Sequence, residues 1–188
     1  DVSTSNGSAS AGSDYTALSS RKVTFSGSAG ETETLSIAIT NDSVVEGSET
    51  LNVGMSNASH SGVKITDTAA VTITNDDSAT VTIADVSVLE NAGSATLTLR
   101  LDKAVSGGFS VDVSTSNGSA SAGSDYTALG SKRVTFSGSA GEAETVSIAI
   151  NNDSNVEESE TLNVRMSGVS HSGVELSLIH ISEPTRPL

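Results

Sequence analysis

Apolar residues recur at every second position in short runs along nearly the whole chain. Val71 and Ile73, Val81 and Ile83, then Leu97, Leu99 and Leu101, and Val111 and Val113 follow this rule. So do Val134 and Phe136, then Val146, Ile148 and Ile150, and finally Leu162, Val164 and Met166. A period of two over roughly five residues places one face of an extended segment in a core and the other in water. Between the runs stand Ser106-Gly107-Gly108, Ser116-Asn117-Gly118-Ser119 and Ser137-Gly138-Ser139-Ala140-Gly141. Gly and Asn there supply the positive φ angles that tight turns demand. No stretch sustains a 3.6-residue period, so the pattern predicts strands and turns, not helices.

The strands repeat as a set. Residues 1–63 recur at 112–174 with a constant offset of 111, and 52 of the 63 positions are identical. An interval of that length suits a whole globular domain, because solenoid turns run to roughly 20–50 residues. About seven strands per interval match an antiparallel sandwich. The expected fold class is therefore all-β, with tandem immunoglobulin-like antiparallel β-sandwich modules, both truncated. A boundary is placed after Asn75-Asp76-Asp77, where Ser78-Ala79-Thr80-Val81 opens a new strand pattern. Residues 1–77 are read as the C-terminal part of a first module and 78–175 as a second module lacking its last strand. The stretch 176–188 breaks the pattern, holds both prolines and is read as a non-native tail.

Charge narrows the partners. Nine Lys and Arg against 23 Asp and Glu leave a net −14, which disfavours nucleic acid and anionic membrane surfaces and favours cations. The chain has no cysteine, hence no disulfide and no thiolate metal site. No apolar run approaches the roughly 18 residues of a membrane span. Catalytic signatures are missing: no glycine-rich loop opening a helix, no Gly-x-Ser-x-Gly, no His-Glu-x-x-His. His60 and His171 stand alone in Ser-His-Ser-Gly loops and are read as loop residues, and Tyr15 and Tyr126 as core packing with bonded hydroxyls. The expectation is that the chain is not an enzyme.

Several segments together resemble the Calx-beta module. They are Val86-Ser87-Val88-Leu89-Glu90-Asn91 with Gly93, then Ala122-Gly123-Ser124-Asp125-Tyr126, then Asn152-Asp153 with Glu157 and Glu160. In the first copy they are Ala11-Gly12-Ser13-Asp14-Tyr15, Asn41-Asp42 with Glu46 and Glu49, and Asn75-Asp76-Asp77. The type expected is a bacterial surface or secreted repeat protein. The resemblance implies acidic loops gathered at one end of each sandwich around Ca²⁺, a hard cation served by oxygen ligands. Carried across, the ligands are Asp14, Asp42, Glu46, Asp76 and Asp77 in the first module, and Glu90, Asp125, Asp153 and Glu157 in the second. Glu49 and Glu160 are secondary candidates. Asn41, Asn75 and Asn152 stand where strong calcium binders often carry Asp, so Ca²⁺ is expected in intact modules and only weakly, or not at all, in this chain. Asp14 and Asp125 also suit turn capping, while Glu31, Glu142, Glu144 and Glu158 read as solvated surface.

The function this implies is a calcium-binding structural repeat of an extracellular or cell-surface multidomain protein, with Ca²⁺ stiffening module junctions. Neighbouring repeats are the first expected partners, with cell-surface or matrix ligands next. Two alternatives stand beside it: a metal-independent adhesive repeat, and the calcium-sensor domain of a membrane ion exchanger.

Overall fold

The computed structural model describes residues 1–177, so of the stretch 176–188 read as a non-native tail all but Leu176 and Ser177 lie outside the described residues. Two compact units emerge: residues 1–42 with 47–76, and residues 43–46 with Asp77 onward.

The first unit holds one antiparallel sheet of three strands, β1 (Val2–Asn6), β2 (Glu49–Met55) and β3 (Thr68–Ile73), in the order β1-β2-β3. Its core is small: Ala9, Tyr15 and Leu51 are buried, with Ile37, Val53, Val71 and Ile73 packed against them.

The second unit is a two-sheet sandwich. One sheet has the order β10 (Val174–Leu176), β4 (Ala79–Ile83), β5 (Ser94–Leu101), β8 (Ala143–Ala149). The other runs β7 (Lys132–Phe136), β6 (Phe109–Asn117), β9 (Leu162–Ser167). The alternating apolar residues of both sheets face one core, where Val81, Leu97, Leu99, Leu101, Val111, Val113, Phe136 and Val146 are fully buried. Phe109 and Phe136 stack there with ring centroids 4.9 Å apart. Burying side chains of this size contributes roughly 1.5–3 kcal/mol each, which offsets chain entropy in a domain with few aromatics and no disulfide.

One pairing departs from the antiparallel expectation. β10 runs parallel to β4, with Val174 opposite Ala79 and Leu176 opposite Val81. Parallel neighbours need a long connection, and here almost the whole unit supplies it.

The near-identical copies fold unequally for a reason of pairing. Residues 21–25 and 32–38 correspond to β7 and β8 but form no ladder. β8 pairs with β5, and nothing in the first unit corresponds to β5. Of the pairs that join β6 to β7, Asp112↔Arg133 and Val113↔Lys132 have counterparts in the first copy, and the second of these persists as the Val2↔Arg21 bridge. Without a facing sheet, Phe25 is 57% exposed, whereas its counterpart Phe136 is 1% exposed.

Candidate metal centre

Each acidic side chain of the second unit is placed by a local device. Glu90 opens a 3₁₀ turn, Glu90–Ala92, between β4 and β5, and Gly93 ends it in the left-handed region at φ 74°. That conformation costs glycine little. Asp125 sits in the turn after β6. Its Oδ2 accepts the Ser121 N–H at 2.7 Å, while Tyr126 beside it sends its hydroxyl to Asn117 Oδ1 at 2.8 Å. Asp153, Glu157 and Glu160 lie in the irregular segment between β8 and β9. Asp153 fixes its own loop by accepting from Asn155 N–H and Nδ2, both at 2.7 Å.

These devices bring the carboxylates together. Ligand oxygens of Glu90, Asp153 and Glu157 lie within 4.8 Å of one another, as do those of Asp125, Glu157 and Glu160. Glu157 belongs to both groups. Glu90 Oε1 also accepts the Asp153 N–H at 2.8 Å, which ties the 3₁₀ turn to the loop before β9. Nearby, Asn151 Nδ2 donates to the Ser124 carbonyl at 2.9 Å, holding the Asp125 turn against the same loop.

Apolar ground lies alongside. A cavity of about 230 Å³ is lined by Val86, Leu97, Tyr126 and Ile148 together with Glu90, Asp125, Glu157 and Glu160. Loss of water raises the Glu157 pKa above the usual carboxylate value, and the negative charges of Asp153, Asp125 and Glu90 raise it further. Glu160 is raised by the same loss of water, then by the charge of Asp125 and a hydrogen bond to it, then by Glu157 and Glu90. Like charges held this close favour the neutral form of one member. The cluster is therefore short of positive charge, and among the described residues neither recorded ion pair touches it.

The first copy's candidates are divided between the units. Asp14, Asp42 and Asp76 lie in the first, Glu46 and Asp77 in the second. Asp14 Oδ2 caps its turn by accepting the Ser10 N–H at 2.6 Å, as Asp125 does in the second copy. Asp77 is engaged by the Lys103 ammonium at 3.6 Å. Asp42 and Asp76 are exposed.

Two acids read as solvated surface have structural work. Glu142 accepts N–H groups from Ser137 at 2.7 Å, Gly138 at 2.9 Å and Ser139 at 3.1 Å. Burial alone raises its pKa, but these bonds bring it below the usual value. Glu31 does the same for Ser26, Gly27 and Ser28, and its pKa is likewise lowered, first by the bond from Ser26. The signal was available in sequence: a Glu three to five residues after a Ser-Gly-Ser turn is placed to bind its amides. Glu160 was underrated in the same way, although its spacing of three from Glu157 returns it to the same loop.

No curated protein matches the chain. Among solved structures, the apo-form Calx CBD1 domain is similar at 24% identity and TM-score 0.51, covering 57% of this chain and 94% of that one. The calcium binding domain CBD12 of CALX1.1 is 25% identical with TM-score 0.49, covering 55% of this chain and 43% of that one. The first of these likenesses is one of fold. The expectation of a bacterial surface or secreted type is corrected: the similar solved structure is the Calx CBD1 domain. The Calx-beta domain model matches residues 1–85 and again 74–184. Those two matches span nearly the entire sequence, and the chain belongs to the Calx-beta family.

Proposed function

We propose that the second unit is a calcium-binding module whose ligands are Glu90, Asp125, Asp153, Glu157 and Glu160. The observation that carries this reading is the convergence of five carboxylates on two overlapping groups, each spanning no more than 4.8 Å. Ca²⁺ takes oxygen ligands at about 2.3–2.6 Å, so oxygens on opposite sides of one ion stand about 4.6–5.2 Å apart. The donor set is oxygen only, which suits a hard cation and excludes none of its usual partners. Mg²⁺ is a poorer match, because it demands compact octahedral geometry and keeps its waters. Loss of water and then the neighbouring negative charges raise the Glu157 and Glu160 pKa values, and a divalent cation would relieve the second of these.

Calx-beta domains are binding and structural modules, and this chain is not an enzyme. Exposed ligands and Asn152 in place of an acid point to weak affinity, about 10⁻⁴–10⁻³ M, the range of extracellular modules. An extracellular or cell-surface setting therefore belongs to the proposal. No helix among the described residues is long and apolar enough to cross a membrane. Within an array, ordering of these loops by the ion is the physical basis for stiffer connections between repeats. The corresponding reading for Asp14, Asp42, Glu46, Asp76 and Asp77 rests on the repeat alone.

Calorimetric titration of the full chain with Ca²⁺, and separately with Mg²⁺, tests the reading. Saturable heat with Ca²⁺, much weaker with Mg²⁺, together with a raised Tm, is the expected result. No heat and no change in Tm up to 10-fold above the expected Kd range (about 10⁻² M) overturns it.

A further inference from the structure

Val45 and Val156 occupy the same position in the two copies, 111 residues apart, yet their surroundings are opposite. Val45 is 0% exposed and Val156 is 91% exposed. Ser43–Glu46, although it precedes the second copy in sequence, is part of the second unit. Val45 forms a parallel bridge with Val105. Its N–H donates to the Ala104 carbonyl at 2.9 Å, and its carbonyl accepts the Ser106 N–H at 2.9 Å. Its side chain joins the unit's core and lies over Gly173, where an added Cβ would collide with Val45 Cγ1. The second unit is thus completed by a short extended segment from the repeat before it.

The second copy carries the equivalent segment at 154–157, with Asn155 in place of Val44, and there Val156 stands in open water. A large apolar side chain presented on a short loop, with its backbone groups beside it, is a plug without its socket. We infer that segment 154–157 is a docking strand for a following copy of this module, with Val156 seated over that copy's counterparts of Val105 and Gly173. The partner is specified by the chemistry of the occupied example: two backbone hydrogen bonds, an apolar seat and a glycine that leaves room for a valine. Neither the seat nor the two bonds use a carboxylate, but Glu157 within the segment is also a proposed calcium ligand, so docking is measured with and without calcium.

The chain contains no cysteine, so a single introduced thiol reports its own accessibility. Val45→Cys and Val156→Cys are each made in the full chain. Val156→Cys is also made in a longer chain, in which residues 1–174 are followed by a second copy of residues 64–175. Labelling by a thiol reagent is timed in calcium and in chelator. In the full chain Val45→Cys is expected to react at least roughly 100-fold more slowly than Val156→Cys, since a buried thiol reacts only through local opening. In the longer chain Val156→Cys slows to a comparable rate in both conditions. Replacing the added copy's counterpart of Gly173 by Ala restores fast labelling. Equal rates for Val156→Cys in the two chains overturn the inference, as do equal rates for Val45→Cys and Val156→Cys in the full chain. Protection seen in chelator stands even where the calcium titration fails, so the two readings fail separately.

Discussion

Replacement of Glu157 by Gln separates a ligand role from a structural one, because the two predict opposite signs. Glu157 lies in both carboxylate groups, and its pKa is raised by loss of water and by three neighbouring negative charges. At neutral pH its charge therefore opposes folding, and Glu157→Gln removes that charge at nearly constant shape. In chelator the second unit of the variant should melt at the same temperature as the parent, or higher. With calcium the order reverses. A cation at about 100 times its Kd adds about 2.7 kcal/mol to the state that binds it. For a unit of this size that is a rise in Tm of roughly 10 °C. The variant should lose most of this rise, since neither group keeps three carboxylates. Thermal melts followed by circular dichroism, with and without calcium, read both effects from one sample. A variant that melts lower in chelator, yet keeps the full calcium-dependent rise, refutes the assignment and makes Glu157 a structural residue.

Without metal, stability should pass through a maximum near the ordinary Glu value of 4.5. Glu157 and Glu160 have raised folded-state pKa values, so their contribution is present at low pH and is lost as pH rises through those values. Glu31 and Glu142 are lowered, so theirs is present above the unfolded value and is lost as pH falls through the folded one. Melts from pH 7 to pH 3 check this, and a steady decline from neutrality contradicts it. Tyr126→Phe should cost about 1 kcal/mol in urea unfolding, because it deletes the bond to Asn117 Oδ1 while that atom keeps the Ala122 N–H. Gly138→Ala should cost well over 1 kcal/mol, since φ is +96° and the added Cβ meets the Val105 carbonyl oxygen, an effect beyond the usual penalty of about 1 kcal/mol.

The strands were legible because their signal is local. Each alternating pair named from the sequence falls in a ladder of the second unit or in β3, and Ile150 lies just past β8 in the Tyr126↔Ile150 bridge. What alternation cannot carry is the partner. Residues 21–25 have the same pattern as β7, but beyond the Val2↔Arg21 bridge they form no ladder, and Phe25 is left in solvent. Direction is likewise invisible to a period of two, so the expected antiparallel sandwich made no provision for the parallel β10–β4 pair. In the candidate centre, Glu90, Asp125, Asp153 and Glu157 were named from the motif, which records residue type and order. The turn amides that claim Glu31 and Glu142 belong to no motif and were passed over. The Val45 segment was missed for a similar reason: Val45 and Val156 are the same residue in the two copies, and their opposite surroundings are not written in the sequence.

The parallel pairing of β10 with β4 has a mechanical meaning. Among the described residues these are the last and first strands of the second unit, and they lie side by side in the same direction, joined by Ala79 N–H to the Gly173 carbonyl at 3.0 Å and Ser177 N–H to the Val81 carbonyl at 2.9 Å. Force applied between Ala79 and Leu176 pulls on the start of one strand and the end of the other. The load then falls along the strands as shear, shared by all their bonds together, and cannot peel them off one at a time. Rupture under force is set by the unfolding rate, not by equilibrium stability, so a clamp of this kind resists extension out of proportion to its few hydrogen bonds.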